Sequence, residues 1–237
     1  MIYITGDIHG NMSQVKYVMD KVNCKLDNVI IQLGDSGFNY YLNKKDKLIK
    51  DFVYNYDINW FVIRGNHDAN PINNDNMMLI EQYGNYGYIE KDYPNIFYAE
   101  NGRVYNIQGN TFLVLGGAYS VDKWYRLEVG YKWFADEQMS EEERNNFFLH
   151  NDKLKVDTIL SHTCPYENMP RHLFLSQIDQ STVDNGMEYF LQEVKEKVEY
   201  NNWFFGHFHA NEEIEENMYM LYDGIIHYKP KGKLKIY

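Results

Sequence analysis

Cysteine and long apolar runs are scarce in this sequence, and each shortage excludes a class of protein. The two cysteines, Cys24 and Cys164, cannot build a disulfide framework, so we expect a reduced protein of the cytoplasm. No apolar stretch approaches the roughly 18 residues that a membrane-spanning helix needs, so no membrane partner is expected. No basic and apolar leader precedes the first strand, and we therefore expect the mature chain to begin at or near Met1.

Positive charge is also in short supply. The 237 residues include 23 Lys and Arg against 34 Asp and Glu, which gives a formal net charge of −11. Such an acidic chain is unsuited to duplex nucleic acid or an anionic membrane as its main partner. A small phosphorylated substrate is still compatible with it, because bound metal ions reverse the sign of the local field. The sequence also lacks a Ser-His-Asp arrangement and a GxxxxGK phosphate-binding loop, two signatures of other chemistry.

Apolar residues are plentiful, and their pattern alternates between strand and helix. Hydrophobic residues make up 44% of the chain, enough for the core of one larger α/β domain. Continuous apolar strands are predicted at 1–7, 27–35 and 58–68, with amphipathic helices at 11–22 and 44–56 between them. Apolar strands separated by single helices indicate parallel pairing, with both faces of the sheet covered.

The second half of the chain opens with a hairpin and then returns to strands and helices. Residues 104–117 are typical of two strands around a Gly109-Asn110 turn. Two further buried strands are predicted at 156–162 and 203–209, separated by a helix at 187–198. No repeat, low-complexity segment or Pro/Gly/Ser linker divides the chain, so a single domain over 1–237 is predicted.

The predicted buried strands end in clusters of polar residues. In chain order these clusters are GDIHG (6–10), GD (34–35), GNHD (65–68), SH (161–162) and GHFH (206–209). Since the carboxyl ends of strands form the ligand crevice of an open α/β sheet, we expect these side chains to meet there. Burying so many polar groups without compensation is costly, and divalent metal is the natural compensation. Carboxylate, imidazole and amide ligands without cysteine suit Mn, Fe, Zn or Ni.

Any one of these clusters is common as an ordinary turn, whereas the ordered set is specific. As a set, covering residues 6–209, they resemble the motifs of the calcineurin-like metallophosphoesterase superfamily, in its small bacterial or phage form. The resemblance implies an α/β fold, a four-layer αββα sandwich in which helices flank two mixed β-sheets. It also implies two divalent metal ions, with Mn favoured for activity.

The resemblance implies a ligand set for each metal. One ion is expected to bind Asp7, His9, Asp35 and His209. The other is expected to bind Asp35, Asn66, His162 and His207, so that Asp35 bridges the two ions. On this expectation, the two histidines of GHFH serve different metals.

The reaction implied is hydrolysis of a phosphate monoester or diester. Two cations clamp phosphate oxygens and acidify a shared water, and the resulting hydroxide attacks phosphorus in line without a protein nucleophile. His67 adjoins the ligand Asn66 but is not itself in the ligand set. It is therefore the expected catalytic residue, protonating the leaving oxygen.

One motif departs from the protein phosphatases of this superfamily. They extend the second motif to Gly-Asp-x-x-Asp-Arg-Gly, whereas residues 34–40 here lack both the second Asp and the Arg. Adjacency makes Asp68 a candidate to orient His67 in place of the missing Asp. With five arginines in the chain, the expected phosphate-binding cations are Arg64, in the RGNHD context, and Arg126.

Residues 116–150 are predicted to form an aromatic-rich insertion that acts as a lid. The segment contains Tyr119, Trp124, Tyr125, Tyr131 and Trp133, and it ends in the capped helix SEEERNNFF. Two interpretations stay open. The aromatic rings stack on a base or apolar leaving group while cations meet phosphate, or they pack the insertion onto the sandwich.

Three functions are compatible with these features. The first is a phosphatase or phosphodiesterase acting on a nucleotide-like or phosphoprotein substrate. The second is an exonuclease-like phosphodiesterase acting on single-stranded nucleic acid, which the absence of a basic stripe disfavours. The third is a non-catalytic metal-binding scaffold, which the complete ligand set disfavours.

Overall fold

The structure, a computed structural model, describes residues 1–151, 153–230 and 234–237 of the chain. The strands in the first half are β1 (Ile2–Thr5), β2 (Val29–Gln32), β3 (Asn59–Val62), β4 (Met77–Gln82), β5 (Asn85–Glu90) and β6 (Tyr93–Ala99). Those that follow are β7 (Arg103–Ile107), β8 (Asn110–Leu115), β9 (Thr158–Ser161), β10 (Asn202–Phe205), β11 (Glu212–Glu215), β12 (Met218–Met220) and β13 (Ile225–His227). The α-helices are α1 (Met12–Lys21), α2 (Lys44–Tyr54), α3 (Lys123–Val129), α4 (Glu141–His150) and α5 (Gly186–Lys197).

The first sheet is mixed and has the strand order β13-β1-β2-β3-β6-β5-β4. Strands β1, β2, β3 and β6 are parallel, whereas β13, β5 and β4 pair antiparallel with their neighbours. Thr5 pairs with Gln32, and Gln32 pairs with Val62, so β1, β2 and β3 end level with one another. The polar segments that follow these three strands therefore begin at one edge of the sheet.

The second sheet is also mixed and has the order β11-β12-β10-β9-β8-β7. Strands β8, β9, β10 and β12 are parallel. Leu115 pairs with Ser161 and Leu160 pairs with Phe204, so the ends of β9 and β10 also lie near one another. His162 and Gly206 begin immediately beyond these ends.

Alternation of side chains along the strands builds the four layers. Ile2 and Ile4 of β1 pack with Phe112 and Phe204 of the second sheet, forming the core between the sheets. Tyr3, which points to the other side of β1, packs with α1 and α2. On the second sheet, the outward side chains pack with α4 and α5; they include Leu113, Leu115, Ile159, Trp203 and Phe205. The predicted αββα sandwich of two mixed sheets flanked by helices is confirmed.

The hairpin of β7 and β8 differs from its prediction by one residue. The two loop residues are Gln108 and Gly109, with φ of 52° and 82°, and Asn110 already pairs with Ile107. A two-residue type I′ turn requires positive φ at both central positions. Asn110 thus belongs to the strand, and the glycine occupies the second loop position.

Strands β4, β5 and β6 were not predicted from the sequence. They pair antiparallel with one another and extend the first sheet beyond β3, to which β6 pairs in parallel. Within the described residues, no helix has the length and apolarity needed to cross a membrane.

Candidate metal centre

Strand ends from both sheets meet at one edge of the sandwich. Asp7 lies just beyond β1, and His207 lies just beyond β10. The backbone N–H of His207 donates to both carboxylate oxygens of Asp7, each at 3.1 Å. This contact joins the two sheets at the edge where the polar clusters begin.

One group of predicted ligands consists of Asp7, His9 and His209, whose ligand atoms lie within 4.8 Å of one another. The Nε2 atoms of His9 and His209 are 2.9 Å apart. The Oδ2 atom of Asp7 is 3.4 Å from Nε2 of His209 and 3.8 Å from Nε2 of His9. These three side chains surround one point with two nitrogens and one oxygen.

A second group lies around His162. Its Nε2 is 2.8 Å from Oδ1 of Asn66, and that same amide oxygen is 3.2 Å from Nδ1 of His207. Asp7, Asp35 and His162 also have ligand atoms within 4.8 Å of one another. Asp7 is therefore near both groups, and the expectation that Asp35 is the bridging ligand stays a prediction.

Asp35 lies between the two groups and is 2% exposed. Its Oδ1 accepts a hydrogen bond from the backbone N–H of His67 at 2.7 Å. Its Oδ2 is 3.6 Å from Nε2 of His162 and 3.8 Å from Nδ1 of His9, beyond normal hydrogen-bond length. The structure thus brings all the predicted ligand side chains together, with Asp35 at their centre.

The donor set around Asp35 fits a divalent cation. A cation about 2.0–2.2 Å from imidazole nitrogen and carboxylate oxygen separates these ligands by distances such as those seen here. Nδ1 of His162 lies 2.7 Å from the carbonyl oxygen of Leu33, to which it donates, and this directs Nε2 toward Asn66 and Asp35, where it could bind a metal.

The pKa values of Asp35 and His162 shift in the directions expected where positive charge lies beside the Asp35 carboxylate, whereas burial lowers the pKa of His207. Burial alone would raise the pKa of Asp35, but the nearby imidazoles of His162 and His67 outweigh it and hold the pKa well below its ordinary value. Burial alone would lower the pKa of His162, but Asp35 raises it to about 9. Since a bound cation supplies the same charge, the residues present fit the metal that the clusters predict.

The backbone is strained at several predicted ligands. Among the described residues, positive φ occurs at His9 (50°), Asp35 (55°), His207 (69°) and His209 (54°). Non-glycine residues seldom adopt this conformation, and where they do the surrounding structure must impose it. Positive φ also occurs away from the site, as at Leu42 and Gln108, and no residue pattern in the sequence predicts it at the ligands.

Gly206 permits the close approach of β10 to Asp7. A Cβ at this position would lie 2.2 Å from Oδ1 of Asp7. Gly206→Ala is therefore expected to displace the Asp7 carboxylate, to destabilise the fold by about 1–3 kcal/mol, and to lower the Mn²⁺ content. Urea denaturation and elemental analysis measure both effects. Gly84→Ala is the control for metal content: a Cβ there meets nothing within 4 Å, but φ is 76°, so the change is expected to cost stability through the backbone alone and to keep the metal. Unchanged metal content in Gly206→Ala would contradict the prediction.

Ser120 and Glu137 hold the amide of Asn66, and neither residue was predicted from the sequence. Nδ2 of Asn66 donates to Oγ of Ser120 at 2.9 Å, and Oγ donates to Oε2 of Glu137. Both supporting residues are buried. This chain of hydrogen bonds turns Oδ1 of Asn66 toward the histidines, the orientation that a metal ligand requires.

His67 lies beside the centre, but Asp68 does not orient its ring. The Asp68 carboxylate instead accepts from the backbone N–H groups of Asp35 at 2.7 Å and Gly65 at 3.0 Å. It therefore fixes the turn that carries Asp35. Burial and the charge of Asp35 raise the pKa of Asp68 to about 6.

The ring of His67 contacts Arg126. Nε2 of His67 is 3.1 Å from Nη2 of Arg126 and 3.2 Å from Nδ2 of Asn66. Burial lowers the pKa of His67, and Arg126 lowers it further against the opposing charge of Asp35. The guanidinium is itself held by Oδ2 of Asp122 at 2.7 Å and the Tyr40 hydroxyl at 3.0 Å.

Arg64, the other predicted phosphate-binding cation, lies elsewhere. Its guanidinium donates to the carbonyl oxygen of Asp136 and is 3.5 Å from the Asp136 carboxylate. It lines a separate cavity of about 480 Å³ that includes none of the predicted ligands. The structure therefore brings Arg126 to the centre and does not bring Arg64.

A cavity of about 580 Å³ opens on His9, Asp35 and His67. Cations and tyrosines make up much of its remaining wall, namely Lys45, Arg126, Lys132, Tyr40, Tyr41 and Tyr131. Tyr40, Lys45 and Lys132 were not singled out from the sequence, where isolated Tyr and Lys residues carry no signal. The concentration of positive charge is local, since the whole chain is acidic.

Comparison with known protein families agrees with this geometry. A family model described as "Calcineurin-like phosphoesterase" matches residues 1–211 of the 237-residue chain. The match includes all five polar clusters. No curated protein sequence matches the chain.

Proposed function

The chain belongs to the calcineurin-like phosphoesterase family, and from this we propose that it hydrolyses phosphate esters with a centre of two divalent metal ions. The observation that carries the proposal is the position of Asp35. Its buried carboxylate lies between imidazoles of the two ligand groups, at 3.6 Å and 3.8 Å from their nitrogens. Both groups can therefore be bridged by one side chain.

Asp7, His9, Asp35 and His209 would hold one ion, and Asp35, Asn66, His162 and His207 the other. Mn, Fe, Zn and Ni all suit such ligands, and Mn is our choice for assays. When bound, the ions supply electrostatic stabilisation of the phosphate oxygens and make a water molecule more acidic.

The remaining steps belong to the side chains of this protein. Arg126 is held at the centre by Asp122 and Tyr40, and we assign it the binding of a phosphate oxygen. We assign His67 the role of the acid, whose Nε2 delivers the proton that the leaving oxygen takes up. Arg126 belongs to residues 116–150 and lines the cavity at the centre. This supports the proposal that the segment is a lid within a single-domain protein.

The cavity of tyrosines and lysines favours a nucleotide-like substrate. Aromatic faces stack on bases, and cations next to them bind further phosphates. The same features support a second candidate, an exonuclease-like activity on single-stranded nucleic acid. We also propose a cytoplasmic location, with both cysteines present as free thiols.

The test is an assay of purified protein loaded with Mn²⁺. Nitrophenyl phosphate, bis(nitrophenyl) phosphate and a linear single-stranded oligonucleotide are offered side by side. Turnover of the small esters alone supports a phosphatase or phosphodiesterase, and release of nucleotides from the oligonucleotide supports the second candidate. Stoichiometric metal without turnover of any ester would instead mean a metal-binding scaffold.

Substitution of Arg126 is expected to change KM, whereas substitution of Arg64 is not. Arg126→Gln is expected to raise KM by about tenfold, because a hydrogen bond to a charged group is worth about 1.5–3 kcal/mol. Arg64→Gln is the matched control and is expected to lower thermal stability without changing KM, because Arg64 is buried against Asp136. A higher KM in Arg64→Gln than in Arg126→Gln would reverse the assignment.

A further inference from the structure

A second cavity, whose wall includes no lysine within the described residues, also adjoins the metal centre. It has a volume of about 370 Å³ and reaches Asn66, His67 and His207. Much of its wall is apolar, formed by Leu173, Phe174, Leu175, Ile178, Val183 and Phe208. A group bound in this cavity would therefore be next to a phosphate at the centre, and would be largely apolar.

Glu188 is a buried carboxylate in this apolar wall. It lines the cavity and is only 5% exposed. Its Oε1 accepts a hydrogen bond from Oγ1 of Thr163 at 2.7 Å. Its Oε2 is buried and has no hydrogen-bond partner in the part of the chain that the structure describes. Burial raises the pKa of Glu188 to about 7.

A structural role explains only part of this arrangement. Glu188 lies in the first turn of α5, where a carboxylate is favoured by the helix dipole. An exposed carboxylate would gain the same benefit, so the dipole does not account for the burial. Nor does it supply a partner for Oε2, whose desolvation is costly while it stays unpaired.

We propose that this apolar cavity binds the organic part of the phosphoester substrate, and that Oε2 of Glu188 accepts a hydrogen bond from a hydroxyl or amino group on it. This inference rests on the proposed phosphoesterase function. The substrate group in this cavity is thus a mainly apolar alcohol, esterified to the phosphate, that carries one hydrogen-bond donor away from phosphorus; it is distinct from any nucleotide-like group held by the cavity of tyrosines and lysines. The phosphate lies at the centre, and the donor lies at Glu188.

Binding of alkylphosphonates tests the proposal, because their carbon–phosphorus bond is not an ester and is not hydrolysed. Calorimetry on the Mn²⁺-loaded protein compares methylphosphonate, hexylphosphonate, and the ω-hydroxy and ω-amino derivatives of hexylphosphonate, with shorter and longer homologues. Hexylphosphonate is expected to bind at least about tenfold more tightly than methylphosphonate, since its methylenes leave water. The ω-hydroxy compound is expected to bind about threefold more tightly than hexylphosphonate, and the ω-amino compound about tenfold more tightly. Comparison of the two affinities shows whether the substrate carries a hydroxyl or an amino group.

Two variants assign these preferences to residues. In Glu188→Gln, an amide donor replaces Oε2 while the side-chain oxygen still serves Thr163, so the advantage of the ω-amino over the unsubstituted ligand is expected to vanish. Glu196→Gln, on the exposed side of the same helix, is the control. Leu173→Asp is expected to abolish the advantage of hexyl over methyl, whereas Leu149→Asp, at a residue 76% exposed on α4, is expected to preserve it.

The outcomes separate this inference from the proposed function. If nitrophenyl esters are hydrolysed but hexylphosphonate binds no better than methylphosphonate, the cavity proposal is overturned and the function stands. An ω-amino preference that survives in Glu188→Gln likewise overturns the role of Glu188. Absence of both ester hydrolysis and phosphonate binding would mean that the phosphoesterase function itself fails.

Discussion

Asp35→Asn is expected to cause the largest loss of metal and of turnover among single substitutions at the centre. The carboxylate lies between the two ligand groups, and the backbone at this residue has a positive φ of 55°. An amide has the same shape but no negative charge, so neither ion is neutralised at that position. Each ion would supply several kcal/mol of transition-state stabilisation, so the loss of turnover is expected to reach at least about 10³-fold.

Elemental analysis after Mn²⁺ loading and kinetics on nitrophenyl phosphate measure the two effects. Asp75→Asn is the control, because Asp75 is exposed and lies outside the predicted ligand set. Asp7→Asn is the informative comparison, since Asp7 has ligand atoms close to both groups. Should Asp7→Asn lose both ions while Asp35→Asn keeps one, the bridging role belongs to Asp7.

The place of the centre could be predicted from the sequence because the pattern is local. Apolar strands such as 29–32 and 202–205 are continuous, and the polar residues follow directly. Parallel strands put such segments at one edge, so the meeting of Asp7, Asp35 and Asn66 follows from strand direction alone. The division into two sheets did not follow from periodicity and came from the family resemblance, because apolar runs do not reveal which strands pair.

What could not be predicted depends on contacts between distant residues. Strands β4 and β5 include the segment MMLIEQYGNYGYIE, rich in Tyr, Asn and Gly, in which antiparallel pairing of near neighbours decides the structure. Ser120 and Glu137 support Asn66 only because residues 116–139 fold back onto the end of β3. Arg64 is near the ligand Asn66 in sequence, yet its side chain turns to Asp136. Proximity in sequence does not fix the direction of a side chain.

His67→Ala is expected to keep both metal ions and to lose turnover in a way that depends on the leaving group. His67 is not in the predicted ligand set, and its Nε2 is 3.8 Å from Oδ2 of Asp35. A positioned acid is worth about 10²–10⁴-fold. Nitrophenolate is already stable as an anion and needs little protonation, whereas an alkoxide needs a proton as it leaves. The variant is therefore expected to lose far more on alkyl esters than on nitrophenyl esters.

The contact between His67 and Arg126 offers an alternative to the acid role of His67, namely that it positions Arg126. Nε2 cannot donate a proton to the leaving oxygen while it accepts a hydrogen bond from Nη2 of Arg126, 3.1 Å away, so donation requires a protonated ring and a guanidinium that has turned toward the phosphate. Kinetics of His67→Ala and Arg126→Gln on a matched pair of alkyl and nitrophenyl esters distinguish the roles, with His150→Ala, exposed on α4, as control. If His67 is the acid, only His67→Ala discriminates between the two esters, and Arg126→Gln affects both equally through KM. Equal losses on the two esters in His67→Ala would refute the acid role and would leave His67 as a residue that positions Arg126 for phosphate.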